Sequence, residues 1–354
     1  TDVVISWWIP LLFASAAVLG LVLLLMRRTA PPDDGALQLI FRWSLAHAFA
    51  CSLAFPVFTQ DMWLSAVWGR MIASGVNPYY VPFAPEALAG LPLDHFPMVM
   101  TYGPLWGMLS AVVVALAGGS VLATGILFKA VLAVAWLGSL ALVARITETR
   151  PMRDRCLAVG MFGWMPASVS QTLAEGHNDI AMVAFALLWL LLLLRGWQTA
   201  PVALIASVLC KYVTAPLFLV DTLFALRRER AGWRSFLLRQ VAPVLVGLGI
   251  LAPFYRSPEF FDGLRVVGEW YFLRPSDGVL AIEHLTGIPL DPLRIAVALF
   301  FPLLAAYWLA VSFWSPTAIC LKKAAAATMA AIIFSGASHL WPWYIIWVLA
   351  FATV

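Results

Sequence analysis

A few ionisable side chains interrupt long apolar runs in this chain, and they are the residues whose types could do chemistry. Asp61 comes first. It follows an apolar run and opens a proline- and glycine-rich stretch that extends to Trp106. A carboxylate at a half-dry interface has a tunable pKa and can accept a proton from an attacking hydroxyl. The same residue also reads as the cap of a surface helix. Glu175, His177 and Asp179, with Asn178 between them, place three ionisable groups in five residues, in a chain with only 5 His. They read as the wall of a polar cavity or as an interfacial helix end. Lys211 lies inside an apolar block, where a charge is costly and faces a cavity or a partner, or else snorkels to the surface. His339 ends a late apolar run and could position or tune a carboxylate. Trp341, Trp343 and Tyr344 beside it have the look of an interfacial aromatic belt. Arg256, Arg265 and Arg274 share a second polar loop. Guanidinium forks suit phosphate, although Glu259, Asp262 and Glu269 offer ordinary pairing. No spacing is that of a metal site, and the four cysteines lie in or beside apolar runs.

The elements that must position these residues are membrane helices. Of 354 residues, 63% are hydrophobic and 11% charged, and the mean hydropathy is +0.91. A soluble domain is about half apolar and about a quarter charged. The apolar runs are too long and too unalternating for barrel strands, so the reading is an all-α polytopic membrane protein with one membrane domain over 1–354. The net charge of +4 comes mostly from short Arg-rich loops; it reports topology and not nucleic-acid binding.

Taken in order, the runs predict helices over Val3–Met26 and Ala36–Phe58, with Arg27 and Arg28 cytoplasmic. Asp61 then falls on the far face, followed by a surface helix ended by Gly75 and Pro78. Val121–Ile146 spans. Two full crossings before the basic stretch Arg150–Arg155 would break the parity, so Tyr102–Ala117 is expected to dip into the membrane or lie along it. Cys156–Leu173 crosses with a kink at Pro166, and Ile180–Leu194 returns to Arg195. Pro201–Leu226 has basic residues at both ends and Lys211 and Pro216 in its middle, which fits a broken or re-entrant pair. Phe236–Tyr255, Ile295–Phe313, Ala324–Ser335 and Tyr344–Val354 complete the set. The loops of about 59–104 and 256–294, with the acid, His and aromatic residues, then share the extracytoplasmic face. The expectation is an integral plasma (inner) membrane protein with its site facing the periplasm or outside.

The motifs come in a particular order. After the acid come G-x-N-P-Y (Gly75–Tyr79) and Y-x-P-L (Tyr102–Leu105). G-H-N-D (Gly176–Asp179), Lys211–Tyr212 and H-x-x-P-W-Y (His339–Tyr344) follow. In this the chain resembles the GT-C membrane glycosyltransferases, and most of all the polyprenyl-phosphate-mannose-dependent mannosyltransferases. The resemblance covers about Asp61 to Tyr344. It implies a GT-C-like bundle of about 9–11 transmembrane or re-entrant helices. It also implies inverting transfer of a hexose, with mannose first, from a polyprenyl-phosphate donor to a lipid or glycan acceptor. Asp61 and His339 map onto the family's catalytic positions. Tyr102, Glu175, His177, Asn178, Asp179, Lys211, Arg256, Arg265, Arg274 and Trp341 are expected to bind substrate. Several relatives carry D-x-D where this chain has Thr59-Gln60-Asp61; with a single acid, no metal and no cofactor are expected. The chain is shorter than many relatives, which leaves room for a C-terminal part beyond Val354. Other readings are an O-antigen-ligase-like or other lipid-linked sugar transferase and, in another class, a secondary transporter. Convergence of Asp61, His177 and His339 at one face would favour catalysis.

Overall fold

The structure is a computed structural model, and it describes residues 20, 34–56, 59–82, 85–93, 98–228, 233–266, 284–287, 291–336 and 342–354. Among these residues the regular structure is all helical. The first expected helix, Val3–Met26, lies almost wholly outside them.

The long apolar runs become helices because only helices satisfy their backbone groups internally. α1 is Asp34–Ser52, α2 Asp61–Ala73 and α3 Pro104–Ala117. α4 is Val121–Ile146, whose 26 residues reach about 39 Å at 1.5 Å per residue. α5 is Met152–Trp164, α6 Asp179–Leu194, α7 Ala200–Cys210 and α8 Leu217–Arg228. α9 is Trp233–Leu251, α10 Asp291–Trp314, α11 Ala318–Ala331 and α12 Ile345–Ala352. Val121–Ile146, Ile295–Trp314 and Ala318–Ser335 are long and apolar enough to cross a bilayer. Several helices also present apolar side chains outward at helical spacing. On α9 these are Leu238, Val241, Leu245 and Leu248; on α10 they are Ile295, Leu299 and Leu303. A water-soluble surface does not carry such stripes, and a lipid-facing one does. The chain is a helical membrane protein.

Two departures from regular helix place the site. The expected continuous crossing over Cys156–Leu173 is broken and not merely kinked. Met165 is extended because Pro166 disfavours the helical conformation before it. A single helical turn, Pro166–Val169, and a π-turn, Ser170–Ala174, follow. Gly176 then turns back with φ 81°, and a Cβ there would meet the Met62 Cβ at 2.9 Å; both facts demand glycine. The second break is the expected one in Pro201–Leu226. α7 stops at Lys211, which is extended (φ −155°, ψ 123°), before a 3-10 turn over Tyr212–Thr214. Pro216 has no N–H to donate and crowds the carbonyl of Tyr212, so one helix cannot run through. α3, expected to dip or lie flat, has 14 residues, about 21 Å, which is less than a bilayer core. It packs along α2.

The two ends of the bundle differ chemically. At one end Arg195 reaches Glu148 at 3.7 Å and Lys322 donates to the Ile146 carbonyl at 3.3 Å. At the other end lie Asp61, Glu175, His177, Asp179 and Lys211.

One buried cluster gave no signal in the sequence. Asp221 of α8 accepts from Trp189 of α6 and Arg239 of α9, each at 2.7 Å. Asp221 is 0% exposed and Arg239 4%. Removing one partner strands a buried charge. Arg239→Met is therefore expected to cost about 3–5 kcal/mol, read as a drop in thermal stability in detergent. The double variant with Asp221→Asn should recover most of it, and no recovery would mean that the pair itself is not what the single change disrupts.

Candidate active site

Asp61 stands in the first turn of α2, just past the Thr59–Gln60 corner, where its charge complements the helix dipole. It does not serve as a cap. No side chain caps α2, and the Asp61 carboxylate points across the bundle instead. Its Oδ2 accepts from the Tyr102 hydroxyl at 2.8 Å and lies 2.9 Å from His177 Nδ1. A carboxylate only accepts, so His177 Nδ1 carries the hydrogen. Both bonds fall on Oδ2. Oδ1 has no hydrogen-bond partner among the described residues, and the Asp61 side chain is 25% exposed. Burial would raise the Asp61 carboxyl; the charge and hydrogen bond of His177, with Lys211 and Tyr102, outweigh it and hold the group at about 2.

His177 is fully buried. Its ring stacks on Trp343 with centroids 3.9 Å apart, and its Nε2 is buried without a partner. The π-turn and Gly176 bring it there. Glu175, on the same turn, accepts from the Thr59 N–H at 3.2 Å. Asp179 begins α6. Its Oδ1 accepts from Lys211 Nζ at 2.8 Å and from Trp347 Nε1 at 2.5 Å. Asp179 Oδ2 and both polar atoms of Asn178 are buried and unpartnered. Lys211, placed by the break after α7, lies 5.2 Å from the Tyr102 ring, 5.3 Å from Trp347 and 5.9 Å from Tyr344. Such aromatic faces favour a cation.

The proline-rich stretch after α2 acts as scaffold. Tyr79 donates to the Tyr102 carbonyl at 2.7 Å and stacks on Phe260 at 4.1 Å. Asn77 Nδ2 donates to the Phe254 carbonyl at 2.7 Å, and the Tyr80 hydroxyl accepts from the Arg256 and Ser257 N–H groups. The G-x-N-P-Y motif thus stitches the first loop to the second.

Asp61, Tyr102, His177, Asp179 and Lys211 are therefore joined in one cluster, with Asn178 beside it in the chain. Arg256 and Arg265 are not part of it: both are exposed, and neither bonds Asp61, His177, Asp179 or Lys211. Arg256 sits in a bend before the 3-10 turn Pro258–Phe261, and Arg265 lies in the helical turns that follow it. Arg274, His339 and Trp341 lie outside the described residues. The expected histidine partner for Asp61 was His339; the one found is His177, which had been assigned to substrate binding. Trp347 was missed, since one more Trp in a terminal apolar run carries no signal. Among the described residues no group of three or more His, Cys, Asp or Glu is gathered closely enough to hold a metal ion.

Fold and site together define a helical membrane protein with an acid, a histidine and a lysine gathered at one end of its bundle. Residues 2–227 match the family model described as alpha-(1->6)-mannopyranosyltransferase, N-terminal domain. The chain belongs to this family. It is 25% identical over 343 residues to alpha-(1->6)-mannopyranosyltransferase A of Mycobacterium tuberculosis, a match covering 85% of this chain and 62% of that protein. No solved structure matches the chain significantly.

Proposed function

We propose that the protein is an inverting mannosyltransferase, moving mannose from a polyprenyl-phosphate donor to a lipid or glycan acceptor. Its fold in this reading is a GT-C-like bundle of about 9–11 transmembrane or re-entrant helices. The site faces outward from the plasma membrane, because the opposite end carries the basic residues that mark a cytoplasmic side. The observation that supports this best is the Asp61 carboxylate, held through Oδ2 by Tyr102 and His177 with Oδ1 left open.

The acceptor hydroxyl gives its proton to Asp61 Oδ1 as its oxygen bonds the anomeric carbon. The bond from that carbon to the donor phosphate oxygen breaks on the opposite face. Its electron pair leaves with the polyprenyl phosphate, whose charge rises. Lys211 stands ready to meet that charge, in a site dry enough for the interaction to count. Asn178, Asp179 Oδ2 and His177 Nε2 are unmatched polar groups whose burial is costly. Sugar hydroxyls supply the partners they lack. The aromatic faces of Trp343, Tyr344 and Trp347 give the ring a stacking surface.

Transfer in proteoliposomes from polyprenyl-phosphate-mannose to cell lipids tests this, with Lys211→Gln beside the wild type. The wild type should transfer mannose, and Lys211→Gln should lose about 10²–10³-fold in kcat, the usual size for one electrostatic contact to a developing charge. Transfer of a different sugar only would overturn the donor assignment. Full kcat in the folded variant would remove Lys211 from the transition state.

A further inference from the structure

Lys129 lies in the third turn of α4, inside the apolar run that spans, and is 5% exposed. It touches none of the reacting groups assigned above. Its ammonium donates to the Leu173 carbonyl at 3.1 Å, to the Ala174 carbonyl at 2.9 Å and to the Ala54 carbonyl. These acceptors are backbone oxygens at two chain ends. Leu173 and Ala174 close the π-turn, three to four residues before His177. Ala54 follows α1, seven residues before Asp61. An ammonium has three donors and no acceptor, so this one is saturated by three carbonyls that their own helices cannot bond. Glu175 adds a second tie between the same two segments through its bond to the Thr59 N–H, and its carboxylate is close enough to attract Lys129.

We infer that Lys129 is a positioning residue that staples the Ala54 and Leu173–Ala174 segments together and thereby sets the distance between Asp61 and His177. A lysine in an apolar run is expensive and needs a reason. Here the reason is local. The broken crossing frees carbonyls at the π-turn, and the end of α1 frees another. A single cation collects both sets, whereas water there would leave the two segments able to slide. The Asp61 to His177 contact of 2.9 Å joins two residues from those segments and depends on their register. The aromatic stack of His177 on Trp343 orients the ring but does not fix its distance from α2.

The test uses Lys129→Met, which keeps the stem and removes the donors, and Lys129→Arg, which keeps the charge and several donors. The first readout is modification of His177 by diethyl pyrocarbonate, followed by peptide mass spectrometry. His177 is fully buried in the native protein and should react slowly. In Lys129→Met it should react about tenfold faster or more, since each lost bond had a charged donor, while Lys129→Arg should stay near the wild type. The second readout is kinetic. Lys129→Met should lose about 10²-fold in kcat, the scale expected for a displacement of about 1 Å, with the KM for donor little changed. The kinetic half rests on the transferase reading, and the labelling half does not. Faster labelling in a protein that transfers no mannose would sink that reading and keep the staple. Unchanged His177 reactivity in folded Lys129→Met would overturn the staple, whatever the activity, and so would equal loss by Met and Arg. If Lys129→Met does not fold, Lys129→Leu, which also removes every donor, replaces it and is judged in the same way.

Discussion

Asp61→Asn is expected to lower mannosyl transfer by about 10³-fold or more, within the range for losing a general base, in a protein that remains folded. The amide keeps the shape of the carboxylate. Its oxygen can still accept from Tyr102 and His177, so the cluster's geometry survives and only the capacity to take a proton is lost. Equal transfer by both proteins would remove Asp61 from the chemistry. The pH dependence gives an independent check. The folded carboxyl is held at about 2, below its ordinary 3.8. The base form of the free enzyme is therefore present throughout the neutral range, and kcat/KM should stay flat as pH falls from 7 to about 5 if Asp61 is the accepting group. The sign for stability follows from the same depression. The stabilisation is fully present above the unfolded value and is lost as pH falls through the folded one. An acid limb near neutrality, where histidines ordinarily titrate, would shift the accepting role to His177, whose Nε2 is unpartnered, with Asp61 orienting the ring.

The second large effect is structural. Gly103→Ala should prevent the native fold or cost roughly 3 kcal/mol or more, well beyond ordinary overpacking. A Cβ at position 103 would lie 2.1 Å from the Leu209 carbonyl oxygen and 2.4 Å from its carbon. Those are backbone atoms and cannot rotate away. Gly103 also donates its N–H to the Cys210 carbonyl at 3.1 Å, so the two chains meet backbone to backbone. This contact joins the start of α3 to the break after α7. Tyr102 and Lys211 flank it, one on each chain. Folded yield and thermal stability in detergent measure the effect, and a Gly103→Ala protein as stable as the wild type would show that the two segments can part. Activity lost with the fold retained would place the damage in the Tyr102 and Lys211 geometry.

Much of this was legible in the chain. Val121–Ile146 is a helix over the residues its apolar run predicts, because length and hydropathy alone decide a span. The break in Pro201–Leu226 was legible from Pro216 and from a lysine that an unbroken apolar helix would not place there. The sequence also set apart Asp61, the 175–179 cluster and Lys211, since charges stand out against 63% hydrophobic residues. It could not pair them. Asp61 and His177 are 116 residues apart, and their contact depends on a π-turn, a glycine at positive φ and a lysine bonded to bare carbonyls. None of these leaves a periodic trace. The same holds for Asp179, Lys211 and Trp347, and for Asp221 with Arg239. Composition determines that a residue must find a partner in an apolar setting, because its isolation there is costly. Which partner it finds is decided by where the helices break and how their ends meet, and those are properties of the packed bundle.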